Sequence, residues 1–177
     1  MASELIVQNL KGPASGANAN KIIVPSGHTL DASAGFIPPA GTVVQHKYNR
    51  RTVDISTTST GSWVNVDNIS FTPLHSDSLL ELYLNYSAGR NQQDMRWRFY
   101  DTTASYQIDG TGIQRHAGRN TDADPSRHTF LAYYTPNSTA SRTISVQGFN
   151  ETGSNTVWFH TYGAQTGSYF VIKEIKQ

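Results

Sequence analysis

At 177 residues the chain has room for one domain with an appendage, or for one larger β domain. Hydrophobic residues make up 37% and charged residues 15%; nine Tyr, seven Phe and three Trp stand among many Ser, Thr, Asn and Gly, which suits strands and turns and argues against both helices and disorder. A net charge of +1 with no basic tract gives no electrostatic case for a nucleic-acid partner, no apolar run approaches a membrane span, and the absence of Cys excludes a disulfide framework and a thiolate metal site.

The first segment, residues 1–44, does not read as a self-sufficient domain. Short apolar runs (Leu5–Val7, Ile22–Val24, Val43–Val44) are separated by Gly, Ala, Ser, Asn and Pro. So thin a piece cannot hold itself together in water. Either it is disordered, or copies of itself bury its apolar residues. Ile22, Ile23, Val24 and Leu30 are poor choices for a solvated linker, which favours the second reading: an extended stem, wound from three copies, with these four residues at its core. Met1 is not followed by the basic and apolar regions of a secretion signal, and none is expected.

From Thr42 onward the pattern predicts strand after strand. Thr42–Tyr48 leads into Arg51–Thr58. Gly61–Val66 and Ile69–Thr72 follow, with Asp67-Asn68 read as a turn between them. In Ser78–Tyr86, Leu80, Leu82, Leu84 and Tyr86 share one face. In Met95–Tyr100, Met95, Trp97 and Phe99 alternate with Arg96, Arg98 and Tyr100, so one face is buried and the other wet or at an interface. Residues 101–127 are loop-rich, with short strands at Ser105–Ile108 and Gly112–His116. Four strong strands close the chain: His128–Thr135, Arg142–Phe149, Thr156–Tyr162 and Ser168–Ile175. The last is apolar enough to be central and covered on both faces. Eight to ten strands with Gly, Asn, Ser and Pro between them predict an all-β, antiparallel, jelly-roll-like sandwich head over residues 45–177.

Three stretches carry a family resemblance: IVQNLKGPASGANANKIIVPSGHTLDASAG with IPPAGTVVQ, then STTSTGSWVNVDNISFTP, then the closing GSYFVIKEIKQ. The chain resembles tail-fibre-like virion proteins of marine and cyanobacterial phages, most strongly over residues 5–44 and least over 90–127. The resemblance implies a homotrimer with a thin stem and a compact β-sandwich head, placed on the virion surface. It departs from that pattern after Gln45, where His46 to Arg51 reads HKYNRR instead of apolar or small residues. The junction chemistry of stem and head is therefore its own.

Candidate chemistry is sparse. None of the six His has the spacing of a helical zinc site. His46, near the junction, could bind a metal through three copies on a trimer axis, though a polar or interface His is the plainer reading. Asn120, Asp122 and Asp124 open like a calcium loop, but Pro125 replaces the sixth-position Gly and Leu131 the twelfth-position Glu, so a solvated loop is the plainer reading there too. Asp94, Asp101 and Asp109 are the carboxylates to weigh as glycosidase acids; nothing in their spacing demands it, and no G-x-S-x-G is present. No enzyme activity and no cofactor are expected. Tyr100, Tyr106, Trp158 and Tyr162 lie near strand ends or loops, where aromatic faces with amide and guanidinium neighbours suit a sugar; for any one of them, filling the sandwich or a subunit seam, as expected of Trp63 and Trp97, is the plainer reading. The expected function is a non-enzymatic phage structural protein, a trimeric capsid decoration protein or short fibre. Its partners would be itself, another virion protein at the N-terminus and, in the alternative reading, a host surface glycan met by a receptor-binding tip.

Overall fold

A computed structural model describes residues 13–17, 19, 21–23, 26–27, 38–90, 95–108, 114–116, 126–151, 156–160 and 168–177, with 87–90, 114–116, 126–127, 158 and 160 described by backbone alone. The chain divides into two units, Met1–Ile37 and Pro38–Gln177. In the first, Gly16 and Gly27 take the left-handed φ values of +90° and +83° that a side chain disfavours, and each sits in a bend or turn. Ile22 and Ile23 are 54% and 55% exposed in the single chain. Val24 and Leu30 lie outside the described residues.

The described residues of the second unit form eleven strands and no helix. They are β1 (Val43–Arg51), β2 (Ile55–Thr57), β3 (Trp63–Phe71), β4 (Leu79–Arg90), β5 (Met95–Asp101), β6 (Tyr106–Ile108), β7 (Gln114–His116), β8 (Ser126–Tyr134), β9 (Arg142–Asn150), β10 (Val157–His160) and β11 (Ser168–Ile175). Two antiparallel sheets form. The first runs β1-β11-β4-β10-β2, with β8 on the other edge of β4. The second runs β3-β9-β5-β6, with β7 also on β5.

Several strands are broken halves of one path. β10 and β11 lie end to end along the same edge of β4, and β2 and β1 lie end to end outside them. β6 and β7 share the outer edge of β5. The six strands of the first sheet less two such pairings, and the five of the second less one, leave each sheet four strands wide. Followed in chain order the path switches sheets after β2, β3, β4, β7, β8 and β9; besides the steps between halves of one path, it stays in one sheet at the β5–β6/β7 hairpin. Two sheets connected in this way make a jelly roll, as the strand spacing predicts.

The alternation read from the sequence sets the core. Leu80, Leu82, Leu84 and Tyr86 from the first sheet meet Met95, Trp97 and Phe99 from the second, all buried. Trp97 is the hub: the Phe159 ring meets it edge-on at 5.2 Å, Tyr86 at 5.9 Å and Phe130 at 6.0 Å. Phe99 stacks on Phe170 at 5.7 Å. Such aromatic pairs add to the area they remove from water.

Two expectations need correction. Asp67-Asn68 is no turn; β3 runs through it, with a bulge between Asn65 and Asp67. The bulge turns the consecutive residues Val66 and Asp67 both inward. Asp67 stays a strand residue because its carboxylate accepts from the Tyr86 hydroxyl, from Asn49 Nδ2 at 2.6 Å and from the Asn68 amide at 2.8 Å. β11 is central, between β1 and β4, but it is covered on one face only: Phe170, Ile172 and Glu174 point inward, while Tyr169, Val171 and Lys173 point out.

Candidate functional site

With the inward positions assigned, the register fixes what each outer face carries. On the first sheet, Tyr48 lies beside Val171, Val171 beside Tyr83, and Tyr83 beside Leu131. One apolar row thus crosses all four strand widths. Tyr169 and Tyr133 flank it. Tyr48, Tyr133 and Leu131 are 66%, 50% and 43% exposed. On one side of the row Lys173 Nζ donates to Glu81 Oε1 at 2.7 Å, and on the other the exposed Arg50 stands beside Tyr169. His46 is exposed at the register position next to Lys173. Among the described residues no group of three or more His, Asp or Glu is placed to hold a metal ion.

The outer face of the second sheet is chemically different. Arg96, Arg98 and Tyr100 point out from β5, Gln147 and Phe149 from β9, and Trp63 from β3. The Arg98 side chain crosses the neighbouring strand. Its guanidinium carbon lies 4.1 Å from the centre of the Trp63 ring and 4.4 Å from that of Tyr100. Its Nε donates to Gln147 Oε1 at 2.7 Å and its Nη1 to Gln107 Oε1 at 3.4 Å. Partial burial draws the Arg98 pKa down from its ordinary value, and the nearby Tyr100 opposes that shift; a guanidinium still remains a cation at neutral pH. Beside it, Arg96 is paired with Glu151, its guanidinium carbon 5.9 Å from the Phe149 ring centre, and Phe149 tilts against Trp63 at 5.2 Å. The result is a layer of aromatic rings and amides around a guanidinium. Cation–π contacts fix its geometry.

The aromatic positions singled out in the sequence do not form one cluster. Tyr100 belongs to this second outer face. Tyr106 pairs in register with the inward Asp101, and lies at the end of the sandwich, stacked on Tyr134 at 6.0 Å. The backbone of Trp158 is in β10, in the first sheet, and its side chain lies outside the described residues, as do Tyr162, Asp122 and Asp124. Asp101 is committed to structure. Its Oδ2 accepts from Arg142 Nη1 at 2.5 Å and from the Tyr134 hydroxyl at 2.9 Å, while Oδ1 accepts from the amides of Thr103 and Ala104. Burial, and then Asp101 itself, pushes the Tyr134 hydroxyl up to about 12. A carboxylate with both oxygens satisfied by a buried cation and three further donors is poorly placed as a glycosidase acid. Asp94 and Asp109 lie outside the described residues.

Arg98 and Gln147 are site residues that the sequence reading left unassigned, and Trp63, read with Trp97 as filling the sandwich or a subunit seam, is corrected: Trp97 is in the core, while Trp63 faces outward over Arg98. The available signal was the outward Arg96-x-Arg98-x-Tyr100 alternation. What it lacked was the register that sets Trp63 and Gln147 beside it.

No protein-family profile matches the chain, and no curated protein matches it. Among solved structures it is similar to the infectious bursal disease virus Gx strain structure (11% identity, TM-score 0.43, 86% of this chain and 37% of that one) and to the crystal structure of the infectious bursal disease virus VP2 subviral particle (11% identity, TM-score 0.39, 93% and 45%). The chain spans less than half the length of either.

Proposed function

We propose that the chain is a non-enzymatic structural protein of a bacteriophage particle, a homotrimeric surface appendage such as a capsid decoration protein or short fibre. The N-terminal segment attaches it to another virion protein, and the jelly-roll head projects outward. The observation that carries this reading is the apolar row Tyr48–Val171–Tyr83–Leu131 on a sheet face that no layer of the head covers among the described residues. A head that closes its own core and still exposes such a row has a surface to bury in assembly. Copies of this chain are the fitting occupant, because the row itself is uncharged and its neighbours Lys173 and Glu81 already neutralise each other. The exposed Ile22 and Ile23 supply a second apolar contact, and the phage-protein resemblance supplies the setting.

Light scattering on the full chain tests this. The expected mass is about three times 19.5 kDa, and Leu131→Arg should lower it toward that of one chain. A monomeric parent chain, or a Leu131→Arg variant that assembles like the parent, would count against the reading.

A second reading, recognition of a host surface glycan by the head, is favoured by one observation: the aromatic and guanidinium layer around Arg98 on the opposite sheet. An assembly made through the first sheet leaves that layer open to solvent.

A further inference from the structure

The layer around Arg98 has a feature that packing alone does not require. A guanidinium carries five N–H donors. Two are used within the protein, by Gln147 and Gln107, which leaves three. Among the described residues no carboxylate pairs with Arg98, in contrast to Arg96 with Glu151, Arg142 with Asp101 and Lys173 with Glu81. None of its unused nitrogens is sealed in the interior. Trp63 and Tyr100 hold the guanidinium by its neighbours' ring faces, and Gln147 fixes its Nε, so the cation is oriented before any ligand arrives. Charge adds to this. Arg96 and Arg98 both point out of this face, and Arg115 occupies the register position beside Arg96.

We propose that this face binds an acidic saccharide, with the carboxylate of a uronic-acid-type sugar on the free Nη edge of Arg98 and the sugar's C–H face against Trp63 or Tyr100. This inference rests on the glycan-recognition reading and names its ligand class. A fixed planar fork matches a planar carboxylate through two parallel hydrogen bonds, which an ammonium does not reproduce. Aromatic faces accept the apolar side of a sugar ring while the flanking amides of Gln147 and Gln107 remain within reach of hydroxyls. A pre-oriented cation also saves the ordering cost that weakens most surface sites.

The test is calorimetric titration of the full chain with three probes: oligogalacturonate, which carries carboxylates, dextran sulfate, which carries sulfates, and neutral dextran. Oligogalacturonate should bind, and neutral dextran should not. Arg98→Gln should weaken binding at least about tenfold, and Trp63→Ala should weaken it too. Arg98→Lys, which keeps the charge and the fold but not the fork, should recover only part of the loss. Thermal melts of each variant, matched to the parent, show that the head is intact. Binding of oligogalacturonate that is indifferent to Arg98→Gln overturns the proposal. So does dextran sulfate bound in preference to oligogalacturonate. Neutral dextran bound as well as the acidic probe, and lost in Trp63→Ala, overturns the acidic assignment while leaving glycan recognition standing. No binding of any probe overturns both.

Discussion

Gly148 shows how closely the two sheets are fitted. It points inward from β9, and a Cβ placed there would come within 2.3 Å of the Phe159 ring. That ring is fully buried and is held edge-on to Trp97, so it has little room to retreat. Close-packed interiors transmit such a collision instead of absorbing it. Gly148→Ala should therefore destabilise the head by about 1–3 kcal/mol, the usual cost of overpacking. Urea unfolding reads this directly. Adding Phe159→Leu, itself destabilising, should cost less in the Gly148→Ala background than in the parent, because the smaller side chain makes room for the methyl. Equal costs in the two backgrounds would mean that the ring is not what the methyl meets.

Strands are joined by more than their ladders. Glu174, inward on β11 and fully buried, accepts from the amides of Leu74 at 2.9 Å and His75 at 3.0 Å, and from Gln45 Nε2 at 2.5 Å. One carboxylate thereby ties the β3–β4 connection and β1 to the central strand. Burial alone would raise its pKa, but the donors outweigh burial and hold it below the ordinary 4.5. A carboxyl depressed in the fold stabilises it above the unfolded value and loses that contribution as pH falls through the folded one. Glu174→Gln turns an acceptor oxygen into an amide donor facing other donors. It should cost about 1–3 kcal/mol near pH 7 and flatten the loss of stability below pH 4.5. A variant with the parent's melting profile at both pH values would refute this role. Much at this scale was legible in the sequence. The inward sets Leu80-Leu82-Leu84-Tyr86 and Met95-Trp97-Phe99 follow from a period of two, which is local information. Asp67-Asn68 misled because turn chemistry and a bulge use the same residues, and only Tyr86 and Asn49, distant in sequence, decide between them. The apolar run in β11 suggested cover on both faces, but its outer apolar residues extend the exposed row of β1, β4 and β8. Arg98 went unread for the same reason. Its partners Trp63 and Gln147 lie on two other strands, so the layer exists only once the register is set.

At the scale of the whole molecule, the described residues include two exposed apolar features, the row across the first sheet and Ile22 with Ile23 in the N-terminal unit. If the same three copies meet through both, each contact raises the effective concentration for the other, and neither has to be strong alone. The consequence is a graded response to substitution. Ile23→Asp places a carboxylate where the stem reading has three copies converge, at a desolvation cost repeated in each. Because Ile23 is exposed in the single chain, the substitution should leave the thermal melt of the head within about 0.5 kcal/mol of the parent while lowering the solution mass at micromolar concentrations. Combined with Leu131→Arg it should give a single chain at any concentration that light scattering can read. If Ile23→Asp alone leaves the assembly intact on dilution, the stem contact is overturned and the first sheet holds the copies together by itself.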